Sequence, residues 1–323
     1  MKGLSIALLA LTMSSSALAN ISDISVALDN KNIAQAEVLF DNLTKQSRQS
    51  VDGQIAHARI LMATKEYEDA YDALEVLAEA HQDNTSVQYY FGLSAMKMAQ
   101  IASIFSKLGY AEDGLKALEK VIALDPKHEN ALDMLIGFHL AAPSIAGGDK
   151  DAALKYAHQL KALDEKSGYV QIARVHQGLE QPEESIKTLT EGIAKYPEHD
   201  ALYFNRAIMY IGNSAWQEAH GDLAKTIELT EDEQRKAGAM YQLGKVAAES
   251  GSFLSEGEQM LTPLLTSEHY EYPNWVKFRL AQVYFHQNAL DKAKAIVNDI
   301  DWGEDSNLKK RVKKFKKTLK ANS

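Results

Sequence analysis

Between about residues 50 and 300, apolar positions recur at the three- and four-residue steps of an amphipathic helix, and the helical stretches come in pairs. ALEKVIALDP (117–126), YAHQLKALDE (156–165), TLTEGIAKYP (188–197) and DLAKTIELTE (222–231) align as second members of such pairs, each ending in Pro or Glu. Upstream of each lies a first member with its own small residue, such as Gly92 in YYFGLSA and Ala207 in FNRAIMY. The small residues of the two members stand 12 positions apart at Ala58 and Ala70, Ala173 and Ser185, Ala207 and Ala219, Gly244 and Glu256, and Ala281 and Ala293. Glu256 breaks the small-residue rule, with Gly257 beside it. Successive first members are 34 apart (58 to 92, 173 to 207) or 37 apart (207 to 244, 244 to 281).

A helix pair of about 34 residues presents one apolar stripe per helix and cannot bury both alone, so such units stack. Small side chains belong where the two helices cross, because only Gly, Ala or Ser lets the axes approach to about 8–10 Å. Proline after the second helix ends it, since it lacks an N–H and clashes with the preceding turn. Leu61, Tyr210 and Tyr284, three residues beyond the small one, are expected to fill the space toward the next unit.

The pattern at Gly92, Pro126, Pro197, Ala207, Tyr210, Ala219, Gly244, Ala281, Tyr284 and Ala293 resembles the tetratricopeptide repeat (TPR) family. The family's first-helix Trp is missing from its expected place in every unit. The resemblance implies an all-α fold, a right-handed superhelix (α-solenoid) of about seven TPR-like helix hairpins with capping helices at both ends. The corresponding organisation is an N-terminal pair of capping helices over 20–50, the solenoid over 51–303, and a C-terminal capping helix over 304–323.

Two hairpins are interrupted at their internal turn. Gly92 and Gly114 are 22 apart, so residues 100–111 are an insertion, and QIASIFSKLGY keeps a helical pattern. It is expected to lengthen the first helix by two to three turns, ending near Leu108-Gly109. Gly137 and Ala153 are 16 apart, with the second insertion at 141–149. There Pro143 ends a helix, Gly147-Gly148 permits a tight reversal with positive φ, and Asp149 is placed to cap the helix from Lys150. Falling at the same turn of adjacent units, the two insertions are expected to project from one edge and touch. The Pro and Gly-Gly loop resembles a feature of certain exported bacterial TPR proteins. Without a G-x-x-x-x-G-K-[ST] pattern, it does not read as a nucleotide loop.

The 323 residues carry no Cys, so disulfides, thiolate metal sites and cysteine nucleophiles are excluded. Residues 1–19 read as an export signal: Lys2, an apolar run from Leu4 to Met13, and Ala17-Leu18-Ala19 before a cut at Asn20. The expected product is exported and periplasmic. The whole chain has a formal charge of −9, which argues against nucleic acid as partner. The charge is unevenly spread, at +6 on 304–323 and −16 on 20–303. Leu308, Val312, Phe315 and Leu319 form one helical stripe among eight cations in that tail. Such a helix can cap the array with its stripe, the expected role, or meet an anionic membrane surface or nucleic acid.

No catalytic set emerges, and neither a metal nor a cofactor is implied. The ten histidines show no H-E-x-x-H or other ligand spacing, and no G-x-S-x-G occurs. His57, His139, His176 and His286 read as unliganded packing or groove residues of first helices. In stacked hairpins the first helices line the concave face. With the small residue as position eight, that face carries positions two, five, six, nine, twelve and thirteen. The candidate partner-binding groove is Arg59, Tyr89, Lys97, Arg174, Asn205, Tyr241, Lys245 and Arg279, with Trp275, Phe278, Gln282 and Phe285 on the same face. Cations and aromatic rings in an acidic body suit a protein or peptide bearing carboxylates. The plainer reading is that each cation is paired to a neighbouring Asp or Glu. The carboxylate-clamp variant of the family needs a Lys and two Asn, and only Asn205 and Arg279 stand at comparable places. A non-catalytic scaffold is the expected function, and a small-ligand carrier working with a transport system is the alternative.

Overall fold

The computed structural model describes residues 20–103 and 105–321, and among them it holds eighteen α-helices and no strand. Residues 1–19, on which the export reading rests, lie outside the described residues. No helix among the described residues is long and apolar enough to cross a membrane. The described residues divide into two compact units, on either side of the Gly148–Asp149 bond.

The first unit contains α1 (Ile21–Asp29), α2 (Ile33–Asp41), α3 (Lys45–Gln49), α4 (Val51–Thr64), α5 (Tyr67–Ala80), α6 (Thr85–Ile101), α7 (Lys107–Leu124) and α8 (Glu129–Ala141). The second contains α9 (Lys150–Leu163), α10 (Glu165–Gly178), α11 (Pro182–Lys195), α12 (Asp200–Gly212), α13 (Trp216–Leu229), α14 (Glu233–Ser250), α15 (Leu254–Leu261), α16 (Pro273–His286), α17 (Leu290–Asn298) and α18 (Ser306–Ala321). Consecutive helices pack as hairpins: α1 with α2, α4 with α5 and α6 with α7 in the first unit; α10 with α11, α12 with α13, α14 with α15 and α16 with α17 in the second. The division between units falls in the 141–149 insertion, so the hairpin expected through Gly137 and Ala153 has one helix in each unit.

The small residues sit at the crossings as their spacing requires. Ala58, Ala70, Ala173, Ser185, Ala207, Ala219, Ala281 and Ala293 are all buried. Ser185 also donates its hydroxyl to the Ala173 carbonyl at 2.9 Å, closing the polar account of that crossing. The α14/α15 hairpin corrects one expectation. Gly257, not Glu256, is the buried crossing residue, and a Cβ there would lie 2.4 Å from the Ala247 Cβ. The turn has gained one residue, with positive φ at both Gly251 (+73°) and Phe253 (+55°).

Five hairpins share one turn. Lys65 has φ +73°, its N–H reaches the Met62 carbonyl, and the Glu66 N–H reaches Leu61. Lys31, Glu180, Ser214 and Asn288 are also left-handed and repeat those two bonds, as in Gln181 to His176 and Ala215 to Tyr210. This is the Schellman ending of a helix, which satisfies two orphan carbonyls and normally uses glycine. All five lie seven residues after the crossing position, counting Ile24 for α1. The N-terminal pair α1/α2 therefore turns as the repeats do.

The first insertion departs from expectation. α6 ends at Ile101 and α7 starts at Lys107, so the extra residues lengthen both helices a little instead of extending the first to Leu108-Gly109. Ala102 is extended, and the Ser103 carbonyl accepts from the Ser106 and Lys107 N–H groups, starting a new helix. Serine favours such local turns over helix interiors, and the ring of Phe105 is left 93% exposed. The second insertion follows its sequence: α8 stops before Pro143, Gly147 has φ +87°, and Asp149 caps α9 through the N–H groups of Asp151 and Ala152. A Cβ on Gly148 would fall 1.8 Å from the Ala142 carbonyl oxygen, so only glycine fits. The loop rests on α7, where Gly147 meets Leu115, C-terminal to the first insertion.

The C-terminal stripe is buried on the last hairpin. Leu308, Val312 and Leu319 join Phe278, Ala281, Ala293, Val297 and Ile300 in one core cluster, and Phe315 packs edge-on to Phe278 and Phe285. Phe278 is thus a core residue and not an open groove position.

Candidate functional site

In the first unit, the groove candidates come from α4 and α6. Arg59 is committed internally: its guanidinium pairs with Asp29 at 2.8 Å, donates to the Ser25 hydroxyl at 2.9 Å and lies 5.2 Å from the Tyr90 ring. A small cleft of about 370 Å³ opens beside it, lined by Ser22, Asp52, Ser86 and Tyr90 among others. Tyr89 is edge-on to Tyr90 and packs on His128, and burial pushes its hydroxyl above the usual tyrosine range. Lys97 places its ammonium 4.9 Å from the Tyr67 ring.

In the second unit, the candidates fall into two states. Arg174, on α10, is exposed and has no ion pair among the described residues. Asn205 spends its amide on its own helix, donating to the Ala201 carbonyl at 2.7 Å. Tyr241 and Lys245 stand one turn apart on α14, with Tyr241 stacked on Tyr270 at 5.0 Å. Arg279, on α16, is only 4% exposed; it pairs with Glu249 at 2.9 Å and donates to the Gln282 side-chain oxygen at 3.1 Å. Lys245 has no ion pair among the described residues, and its ammonium is held below its ordinary pKa by burial, with Arg279 and Arg311 adding to the effect against Glu249.

The paired and unpaired cations differ for a reason that lies in the repeat. Asp29 and Glu249, the partners of Arg59 and Arg279, both occupy position thirteen of the preceding first helix, thirty residues back. The corresponding position before Lys245 is Gly212, which offers no side chain. Sequence reasoning named the cations but missed Glu249, Tyr270 and Arg311 as their neighbours. Position thirteen of the preceding first helix was the available signal.

The four first-helix histidines each meet a neighbouring group, His57 while exposed. His57 stacks on Phe40, His139 Nδ1 lies 3.2 Å from the Gly147 carbonyl, His176 Nδ1 lies 3.0 Å from the Gln181 side chain, and His286 Nε2 lies 3.2 Å from the Ala248 carbonyl. Among the described residues no group of three acidic, His or Cys side chains is placed to hold a metal.

Residues 27–93 and 98–128 match tetratricopeptide repeat family models. No curated protein matches the chain. Among solved structures, a tetratricopeptide repeat protein from Parabacteroides merdae is 14% identical with a TM-score of 0.56, covering 81% of this chain and 96% of that one. A monomeric IFIT1 mutant with m7Gppp-AAAA is 14% identical with a TM-score of 0.54, covering 92% and 70%. The Cut9–Hcn1 hetero-tetramer of the APC/C is 16% identical with a TM-score of 0.52, covering 90% of this chain, which spans about half (54%) of that one. At such identities the likeness is one of fold. The family matches mark tetratricopeptide repeats over 27–93 and 98–128, and the recurring hairpin and the structural likeness support the same repeat fold in the rest of the described residues. Proteins of this class are generally non-catalytic scaffolds for protein interaction.

Proposed function

We propose that the chain is an exported, non-catalytic TPR scaffold that holds a protein or peptide partner against the first-helix faces of its repeats, and that the partner presents carboxylates. The observation that carries this reading is the pair Arg174 and Lys245. Both occupy position nine of a first helix, and neither has a carboxylate partner among the described residues, although residues 20–303 carry −16. Cations that an acidic body leaves unneutralised are available to an outside anion. Export rests on Lys2, the apolar run to Met13 and Ala17-Leu18-Ala19.

The test is a cross-linking pull-down from envelope fractions with the parent chain and with R174E/K245E. Specific proteins retained by the parent should be lost from the double variant. Retention of every partner by the variant overturns the groove as the binding surface. Export is checked by fractionating cells expressing the full chain and the same chain with Ala17→Asp and Ala19→Asp, which should block cleavage.

A further inference from the structure

The C-terminal helix of the second unit does more than cover apolar surface. α18 brings Arg311 to one side of the Trp275 ring system, its guanidinium 5.9 Å from the ring centre, and Arg279 approaches the same ring at 5.9 Å. Two cations from different helices therefore share one indole. Arg311 spends a single N–H on a neutral acceptor, the Asn307 side chain at 3.1 Å, and has no ion pair among the described residues. Lys245 supplies a third cation from α14, one turn before Glu249, the carboxylate that binds Arg279.

The acids nearby are already engaged. Glu249 is bound to Arg279 at 2.9 Å. Asp305 accepts from the Trp275 N–H and from the Leu308 N–H at the start of α18, each at 2.8 Å. A bare anion meets only the cations, whereas a peptide also brings apolar side chains to the rings beside them. Beside the cations runs an aromatic wall, with Tyr270 stacked on Tyr241 and edge-on to Tyr272, which is 59% exposed.

We propose that α14, α16 and α18 form a binding site for an acidic peptide, with Lys245 and Arg311 meeting its carboxylate above the buried Arg279–Glu249 pair, and the tyrosines receiving an apolar residue next to the acid. This rests on the groove reading above and adds a defined locus and a role for the terminal helix. The cations meet the carboxylate by charge-assisted hydrogen bonds, and the exposed ring removes apolar surface of the neighbouring residue from water.

The test measures fluorescence anisotropy with a labelled, C-terminally amidated peptide in which two aspartates flank one phenylalanine. Its counterpart with asparagines is the neutral control. The full chain should bind the acidic peptide at least about tenfold more tightly than the neutral one, and K245Q/R311Q should abolish that difference. Both substituted heads are solvent-facing or half-buried, and an unchanged thermal melt shows that the variant is folded. Equal affinity for the two peptides, no binding of either, or parent-like binding by K245Q/R311Q overturns the site. Displacement by inorganic phosphate at the peptide's own affinity overturns the peptide assignment in favour of a free anion. A pull-down partner that is lost on Arg174→Glu but indifferent to K245Q/R311Q would leave the groove reading standing and remove this site alone.

Discussion

Two glycines on α14 respond oppositely to the same added methyl group. A Cβ on Gly244 would lie 2.2, 2.5 and 2.7 Å from the Cγ, Cδ2 and Cδ1 atoms of Leu261, a side chain with no exposure. Cγ itself is among them, so turning the terminal methyls does not relieve the clash; with Leu261 kept in its rotamer, the helices must separate by roughly 1.5 Å to reach ordinary carbon contact. Overpacking of this kind costs about 1–3 kcal/mol. The greater helix preference of Ala returns about 0.8–1.0 kcal/mol. Gly244→Ala should therefore destabilise the chain by up to about 2 kcal/mol. Gly238 lies two turns earlier on the same helix with nothing within 4 Å of its added Cβ. Gly238→Ala should keep the propensity gain, up to about 1 kcal/mol, without the clash. Urea unfolding followed by circular dichroism separates the two, since the midpoint shifts while the slope stays constant. If Gly244→Ala stabilises as much as Gly238→Ala does, the close crossing at that position does not exist.

Glu180 occupies a left-handed turn position that costs a non-glycine residue about 1–2 kcal/mol, so Glu180→Gly should raise the melting temperature, by calorimetry, despite the added freedom of the unfolded chain. Asp164 caps α10 by accepting from the Lys166 and Ser167 N–H groups and the Ser167 hydroxyl, and the hydroxyl bond first, then the backbone bonds, hold its carboxyl below the usual range against burial. Its stabilisation is present above the unfolded carboxylate pKa and is lost as pH falls through the depressed folded value; Asp164→Ala should cost about 1 kcal/mol at neutral pH, and a titration of unfolding midpoints should show that cost vanishing in acid. Leu308→Ala should cost about 2–4 kcal/mol because the side chain is 2% exposed on the last hairpin, whereas Lys313→Ala should leave the denaturant midpoint unchanged.

The hairpins were legible because a crossing admits only small side chains, a constraint that leaves a periodic trace in the residue types themselves. The shared turn left no such trace. Lys31, Lys65, Glu180, Ser214 and Asn288 have little in common chemically, and only their constant distance from the crossing marks them. The first insertion misled because QIASIFSKLGY keeps a helical rhythm through a break at Ala102. Periodicity reports what could be buried together, and here Phe105 is not buried. Around the candidate site, the cations could be named in advance but their state could not. Arg59 and Lys245 hold the same position in their repeats, yet one faces Asp29 and the other follows Gly212. That difference resides in the preceding repeat, so no local window contains it.

The seating of Phe315 between Phe278 and Phe285 ties Arg311 to the attachment of the final helix. With Arg311 in the proposed acid site, detachment of α18 and release of a bound acid would be thermodynamically linked, and the coupling would run equally both ways. A ligand on Arg311 would fasten α18 in place, and anything that pries α18 loose would weaken the grip on the ligand by the same factor.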